Sequence, residues 1–212
     1  MNYLDLTHRL HSNINVYPGT PKPVIEDIHH VKTDSFAEKR LTLYSHHGTH
    51  IDSQRHVLEE GSFLDDLPLD RFFGTGIVLR IHGLAELESI HSEELLRRLP
   101  ALLEADFLLI DSGWGKHWGT SIYDQNSPKV STEIIHWLVE HRKKGIGVDA
   151  HSIDSMNCLT NHRIALSGSL MILENLNQVH LLPDTLFQLT ALPLLYTEAD
   201  GAPARIVAQW RT

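Results

Sequence analysis

Four histidines and one aspartate lie within residues 45–56 of this 212-residue chain. If the segment is extended, His46, His50 and Asp52 point the same way, because side chains of equal parity share one face of a strand. Gly48 lacks a Cβ and allows the chain to bend between them. Imidazole nitrogens and a carboxylate oxygen that converge on one face can bind a divalent cation. The spacing therefore predicts a metal site at these three residues.

Two further histidines accompany this predicted ligand set. His56 follows Asp52 after a short loop, which places its ring near enough to act on whatever the metal holds. His47 has the opposite parity, which predicts a structural or solvent-facing side chain. A lone histidine in a strand is usually a surface or hydrogen-bonded residue, so the metal interpretation depends on the whole group.

The composition is that of a soluble globular protein. Hydrophobic residues make up 42% of the chain and charged residues 21%, and no repeat or linker divides residues 1–212, so a single domain is predicted. The net charge of −9 argues against a general nucleic-acid binder. No apolar run reaches the ~20 residues of a membrane span. The single cysteine, Cys158, suits a reducing compartment, so a cytoplasmic location is expected.

Hydrophobic patterns predict the elements that must position these residues. Strands are predicted at residues 38–45, which lead into the histidine cluster, and at 76–81, 106–111 and 145–150. Shorter strand-like segments are expected at 3–10 and 192–196, with turns at 17–21 and 200–203. A structural turn is favoured at 17–21, with a loop beside the site as the alternative.

Two helices are predicted between the strands. An amphipathic pattern follows Ser131 as N-cap through residue 140, with Gly145 as the stop signal. A second helix is expected at residues 92–99, with Ser92 as N-cap and Pro100 marking its end. The alternation of helices with apolar strands favours a mixed α/β domain.

Two segments leave alternatives open. In the glycine-rich loop at 112–119, Trp114 and Trp118 either wall a pocket for a planar substrate or pack on the core. Glu174 closes the apolar run 166–173 and is either a buried functional carboxylate or the first exposed residue of a loop. The residues alone favour the loop.

Residues 46–56 match the pattern His-x-Gly-Thr-His-x-Asp-x-x-x-His. On this motif the chain resembles the cyclase-like family of metal-dependent hydrolases, which includes bacterial kynurenine formamidases and isatin hydrolases. Further similarity covers nearly the whole chain, at residues 5–7, 17–19, 147–149, 152–154, 162, 172–176, 192–194 and 200–205.

The resemblance implies a fold, a cofactor and site residues. The expected fold is mixed α/β (α+β), a single compact domain with a strongly curved, barrel-like β core flanked by helices. The implied cofactor is one or two divalent ions per subunit, zinc first and manganese as the alternative. The implied assembly is a homodimer whose site can borrow residues from the partner. The implied metal ligands are His46, His50, Asp52, His162 and Glu174, and the implied catalytic acid/base is His56.

One part of the motif departs from the family. Many members carry a proline between the aspartate and the last histidine, whereas this chain has Ser53, Gln54 and Arg55 there. The loop that holds His56 is therefore expected to have a different shape, which bears on the substrate more than on the metal.

The expected reaction is hydrolysis of a small amide, most specifically an aryl formamide such as N-formylkynurenine. A bound cation would activate the water, with Asp52 bridging if two ions bind, and His56 would take and return the proton. Trp114 and Trp118 would stack on an aromatic substrate. No nucleic-acid or membrane partner is expected.

Other functions fit the residues less well. Isatin-type or other small cyclic amide hydrolysis remains open within the family. A cupin-type oxygenase would place a glutamate where this chain has Asp52 and His56, and a non-catalytic metal-binding protein leaves His56 without a role. A serine hydrolase would need a Gly-x-Ser-x-Gly turn, which the chain lacks.

Overall fold

Seven strands close into a β-barrel in the computed structural model of the chain, which describes residues 1–81, 89–90, 99–125 and 127–211. The strands are β1 (Asn2–Asp5), β2 (Val24–His29), β3 (Glu38–Thr42), β4 (His50–Asp52), β5 (Phe73–Arg80), β6 (Ser89–Ile90), β7 (Phe107–Asp111), β8 (Lys129–Val130), β9 (Gly145–Val148), β10 (Met171–Glu174), β11 (Phe187–Pro193) and β12 (Gly201–Trp210). The helices are α1 (Val31–Asp34), α2 (Leu99–Glu104), α3 (Thr132–Glu140) and α4 (Thr160–Ser167).

The barrel closes because β12 pairs with two different strands along one of its edges. The order around the barrel is β12, β11, β5, β7, β9, β10 and β4, which returns to β12. The beginning of β12 pairs with β4, its end pairs with β1, and its other edge pairs with β11. Strands β5, β7, β9 and β10 run parallel to their neighbours in that group, and the remaining barrel pairs are antiparallel. The predicted mixed α/β fold with a barrel-like core is confirmed.

Alternating side chains of the barrel strands belong to two different hydrophobic clusters. On β7, Phe107 and Leu109 belong to the cluster inside the barrel, whereas Leu108 and Ile110 pack with the residues of α3 and α4. On the neighbouring β9, a Cβ on Gly147 would come within 2.6 Å of the Leu109 side chain. Glycine at this position therefore lets the large side chains of β7 fill the narrow interior.

Most predicted strands are confirmed, with one change of role. Residues 76–81, 106–111 and 145–150 contribute β5, β7 and β9; β7 and β9 are buried throughout, and β5 is buried in its second half except at its last residue. Residues 3–10 contribute β1. The strand predicted at 38–45 is shorter, ends at Thr42, pairs only with β2 and is exposed throughout, so it does not run into the histidine cluster.

Other boundary predictions are wrong because barrel pairing overrides local turn signals. Gly145 does not stop the predicted helix, since α3 ends at Glu140 and Gly145 already pairs in β9. The turn predicted at 200–203 is instead mostly strand, because Gly201 to Pro203 pair with β4. The strand expected at 192–196 lies earlier, as β11.

The remaining turn and helix signals have mixed outcomes. The turn at 17–21 is confirmed, with the Thr20 amide donating to the Tyr17 carbonyl at 2.9 Å. Ser131 is the N-cap of α3, although its hydroxyl makes no capping hydrogen bond. Pro100 lies within α2 rather than ending a helix, and residues 92–98 of the predicted helix lie outside the described residues. Across the described ranges, none of the helices is long and apolar enough to span a membrane.

A buried histidine near the N-terminus gives the fold a pH dependence. His8 stacks on Trp118 with the ring centroids 3.8 Å apart, and burial lowers the pKa of His8 from 6.5 to about 4. The unfolded chain therefore takes up this proton first as the pH falls, which destabilises the fold between pH 6.5 and about 4.

Replacing His8 with phenylalanine should remove this dependence while retaining a stacked ring. Between pH 7 and 4.5 the wild-type chain should lose about 2–3 kcal/mol more free energy of unfolding than His8→Phe does. Urea titrations at the two pH values measure the difference. Parallel losses in the two proteins would show that His8 titrates normally.

Candidate metal centre

Antiparallel pairing of β4 with β10 brings the central residues of the site together. His50 lies opposite Glu174 and Asp52 lies opposite Ile172 in the register. Directly opposed residues share a face of the sheet, so His50, Asp52 and Glu174 project to the same side. Ile172 belongs to the cluster that packs with α4, and that helix carries His162 toward the same face.

Asp52 occupies the middle of the cluster. Its Oδ1 lies 2.8 Å from His46 Nδ1 and 3.3 Å from His50 Nε2, and its Oδ2 lies 3.6 Å from His162 Nε2. Glu174 lies 3.5 Å from His50 Nε2 and 3.3 Å from His162 Nε2. All five predicted metal ligands are therefore adjacent in space, and all except the partly exposed His46 are buried.

His46 reaches the cluster by a different path from the one predicted. Only residues 50–52 are in a strand, and His46 lies in the turn before it, where Gly48 has a φ of +67°. His46 therefore does not share a strand face with His50 and Asp52 as predicted, although its ring still contacts Asp52. Its Nε2 lies 3.0 Å from Asp200, a residue that the sequence placed only in a turn.

His47 faces away from the cluster and is structural. Its ring is buried, its Nδ1 accepts a hydrogen bond from the Tyr44 amide at 3.2 Å, and its Nε2 lies 2.9 Å from the Pro21 carbonyl oxygen. This arrangement ties the turn before β4 to the segment that follows Tyr17.

His56 lies beside the cluster on a short 3₁₀ turn, Gln54–His56. Its ring centroid is 4.2 Å from that of His46 and 5.8 Å from that of His162. Burial lowers the pKa of His56, and nearby His46 adds to this effect against the opposing charge of Asp52. The imidazole is therefore neutral at neutral pH and able to accept a proton.

The side chain of Gln54 fixes this turn. Its Nε2 donates to the Leu166 carbonyl at the end of α4 at 2.9 Å, and its Oε1 accepts from the Ser62 amide at 3.1 Å. The Gln54 side chain therefore fastens the His56 turn to the end of α4.

The donor set fits a divalent cation. Two groups, His46–Asp52–His56 and His50–Asp52–Glu174, each have ligand atoms within 4.8 Å of one another, and Asp52 belongs to both. Asp52 Oδ2 is buried and has no hydrogen-bond partner among the described residues. A buried carboxylate oxygen without a partner is costly unless a cation or donor satisfies it.

The electrostatics of the cluster also favour a cation. Burial would lower the pKa of His50, but the carboxylates of Asp52 and Glu174 overcome it and raise that pKa to about 10. Burial acts to raise the pKa of Asp52, whereas the nearby imidazoles of His162, His46 and His50 hold it well below its usual range. The two buried carboxylates therefore carry the negative charge that a divalent ion would neutralise.

Outer contacts orient two of the ligand histidines. His50 Nδ1 lies 2.9 Å from the Gly48 carbonyl oxygen, and His162 Nδ1 lies 2.8 Å from Asp154 Oδ2. Because these acceptors hold a proton on Nδ1, each ring directs its Nε2 toward Asp52 and Glu174, where Nε2 would give up its proton on binding a cation. Asp154 also accepts the amide hydrogens of Asn161 and His162 in the first turn of α4, which fixes its position.

Replacing Asp154 with asparagine is expected to weaken metal binding about 10–100-fold, because the amide holds the His162 ring less firmly. Competition with a chromogenic chelator measures the affinity. Asp70→Asn, which removes the same charge from an exposed 3₁₀ turn, is the matched control and should bind metal normally. Equal affinity in the two variants would remove Asp154 from the site.

Trp114 and Trp118 lie away from the cluster. Asp149 accepts the amide hydrogens of Ser112 and Gly115, each at 3.1 Å, and so draws their loop onto the core. Trp114 is buried there, and Trp118 stacks on His8. Neither lines the cavity at the candidate site, so the packing alternative describes both residues.

A cavity of about 460 Å³ opens onto the cluster, lined by His46, His50, His56, His162 and Glu174. Its other walls include Tyr17 and Thr20, so the alternative of a loop beside the site also describes residues 17–21. They further include residues that the sequence did not identify as site residues: Asn15, His151, Asn157 and Leu159. The Asn157 amide donates to the Tyr17 hydroxyl at 3.0 Å, so the turn at 17–21 also forms part of the cavity wall. These residues come from distant segments, and no local spacing could have revealed them.

Comparisons with known proteins place this chain among relatives that match nearly its whole length. The model of the Cyclase family, described as "Putative cyclase", matches residues 4–155. A kynurenine formamidase of Bacillus cereus is 32% identical over 97% of this chain and 96% of its own length. An uncharacterized protein of Methanocaldococcus jannaschii is 33% identical over 98% of this chain and 99% of its own length.

Solved structures share the fold at lower identity. An isatin hydrolase bound to the product analogue thioisatinate has a TM-score of 0.86 and 22% identity, over 99% of this chain and 92% of that one. A potential metal-dependent hydrolase with cyclase activity has a TM-score of 0.83 and 22% identity, over 100% of this chain and 98% of that one. The family match across most of the chain, together with full-length relatives at 32% and 33% identity, shows that the chain belongs to the cyclase family.

Proposed function

We propose that this chain is a metal-dependent amidohydrolase that cleaves an aryl formamide, with N-formylkynurenine as the first candidate substrate and kynurenine and formate as the products. The observation that carries the proposal is the buried cluster around Asp52, with the neutral His56 ring beside it on the wall of a cavity. Relatives that are kynurenine formamidases match nearly the whole chain at about 30% identity, which supports the choice of substrate.

The ligands proposed for the cation are His46, His50, Asp52, His162 and Glu174. When bound there, a divalent cation would lower the pKa of a water molecule and polarise the scissile carbonyl. Asp52 is the proposed bridging ligand if two ions bind, because it belongs to both ligand groups. Zinc is proposed before manganese, since imidazole with carboxylate is a common zinc donor set.

His56 is the proposed acid/base. Its burial keeps the ring neutral, so it can take a proton from the attacking water and return it to the leaving arylamine nitrogen. The Gln54 contacts hold the 3₁₀ turn in place, which keeps the ring beside His46 and His162 during both transfers.

The cavity suits a small aromatic substrate. Its volume of about 460 Å³ lies within the range of small-molecule sites, and Val16, Tyr17 and Leu159 provide apolar walls. We further propose a cytoplasmic location, with which the single half-buried free cysteine is consistent. A homodimer is the proposed working form, and this part of the proposal rests on the family resemblance.

Metal analysis of the purified protein combined with turnover tests the proposal. Zinc-loaded or manganese-loaded protein should cleave N-formylkynurenine, and dialysis against a chelator should abolish the activity. Isatin ring opening is the second candidate, because an isatin hydrolase shares the fold with a TM-score of 0.86. Failure to cleave either compound, or full activity without metal, would contradict the proposal.

A further inference from the structure

His151 lies on the cavity wall next to the proposed metal ligand Glu174. Two hydrogen bonds hold its segment against the end of β10. The Asn175 amide donates to the Ala150 carbonyl at 2.9 Å, and the Ile153 amide donates to Glu174 Oε1 at 3.2 Å. His151 lies between these two contacts, so its backbone has a fixed position relative to the proposed centre.

A carboxylate behind His151 fixes the direction of its ring. His151 Nε2 lies 3.0 Å from Asp124 Oδ1, and Asn15 Nδ2 donates to the same oxygen at 2.7 Å. Asn15 is itself held because its Oδ1 accepts the Gly119 amide hydrogen. Tyr123 packs against the His151 ring in an edge-to-face arrangement, with the ring centroids 4.6 Å apart.

These contacts leave one hydrogen-bonding position on the ring. The Asp124 carboxylate can only accept, so the proton lies on Nε2. Burial lowers the pKa of His151 more than Asp124 raises it, so the ring is neutral and Nδ1 carries a lone pair. In the part of the chain that the structure describes, no protein donor reaches Nδ1, and the ring lines the cavity.

We propose that His151 determines substrate specificity by accepting, at Nδ1, a hydrogen bond from the N–H of the amide that is cleaved. This inference rests on the proposed function for the substrate class and adds the group that recognises it. It predicts that secondary amides and lactams with a free N–H are preferred over esters and N-alkylated amides of the same shape. A residue that only packed against Tyr17 and Tyr123 would not make this distinction.

Equilibrium binding tests the proposal without turnover. Oxindole carries a lactam N–H that 1-methyloxindole lacks, and ligand-observed NMR titration of zinc-loaded protein measures both affinities. The wild-type chain should bind oxindole about tenfold more tightly, the ratio expected for one hydrogen bond to a buried acceptor. His151→Phe should reduce the ratio to less than about twofold. His136→Phe, on the exposed face of α3, is the matched control and should keep the wild-type ratio.

Kinetics provide a second, independent comparison. For His151→Phe, kcat/KM should fall about tenfold for formanilide but stay within about twofold for phenyl formate, an ester without an N–H. Equal losses on both substrates, a wild-type chain that does not distinguish or bind the two lactams, or a variant that keeps the tenfold ratio would each overturn the proposal. If formanilide is not cleaved but lactam discrimination depends on His151, the proposed reaction fails while the recognition role stands.

Discussion

Replacing His56 with alanine is expected to lower kcat about 10²–10⁴-fold while the metal content stays at the wild-type level. The ring lies beside His46 and His162, and burial keeps it neutral, so it is placed to move a proton without being needed to hold the cation. Steady-state kinetics and elemental analysis of the same preparation measure the two quantities.

Arg55→Ala is the matched control for this experiment. Arg55 lies on the same 3₁₀ turn but is exposed, with its guanidinium over the Phe63 ring rather than in the cavity. It should retain activity within a few-fold. A loss of metal in His56→Ala would instead show that His56 is a ligand. The metal content is worth measuring because His56 belongs to the His46–Asp52–His56 group.

Replacing Asp52 with asparagine is expected to abolish both metal retention and turnover. The carboxylate contacts His46, His50 and His162 and belongs to both candidate ligand groups, so the amide removes the charge that the whole cluster shares. Zinc affinity should fall by about 100-fold or more, since both a ligand and its charge are lost.

Chelator competition and elemental analysis after dialysis measure the loss of metal from Asp52→Asn. His50→Ala should behave similarly, because its Nε2 lies between Asp52 and Glu174. Full metal content in both variants would show that the cation binds elsewhere. Asp70→Asn again serves as the surface control for the change in charge.

Part of the site could be read directly from neighbouring residues. The spacing of His46, His50, Asp52 and His56 predicted one cluster, and in the structure all four lie together. The predicted extended segment was only partly right, because His46 lies in the turn before the strand and not in the strand itself. The apolar runs similarly predicted β5, β7 and β9, since burial on both faces leaves a continuous hydrophobic signal.

Distant residues needed more than local pattern. The residues alone favoured a loop position for Glu174, and only the family resemblance suggested a ligand. In the structure, pairing of β10 with β4 places it opposite His50. Asp154 and Asp200 contact ring nitrogens of His162 and His46, yet no spacing links them to those histidines. Trp114 and Trp118 could have lined a substrate pocket or packed on the core, depending on the position of their loop. Asp149 holds that loop against the core by accepting two of its backbone amide hydrogens.

The sequence by itself determined the chemistry of the site, because ligand type and close spacing along one segment are properties of the chain alone. Tertiary structure decided which distant groups join that segment, through the closure of β12 onto β4 and the register between β4 and β10. Strand register is set by which side chains of each strand must be buried against its neighbours, and β4 and β10 come from distant parts of the chain that no single turn connects. For that reason the orienting Asp154, the cavity residue His151 and the Asp124 carboxylate behind it could be found only in the folded molecule.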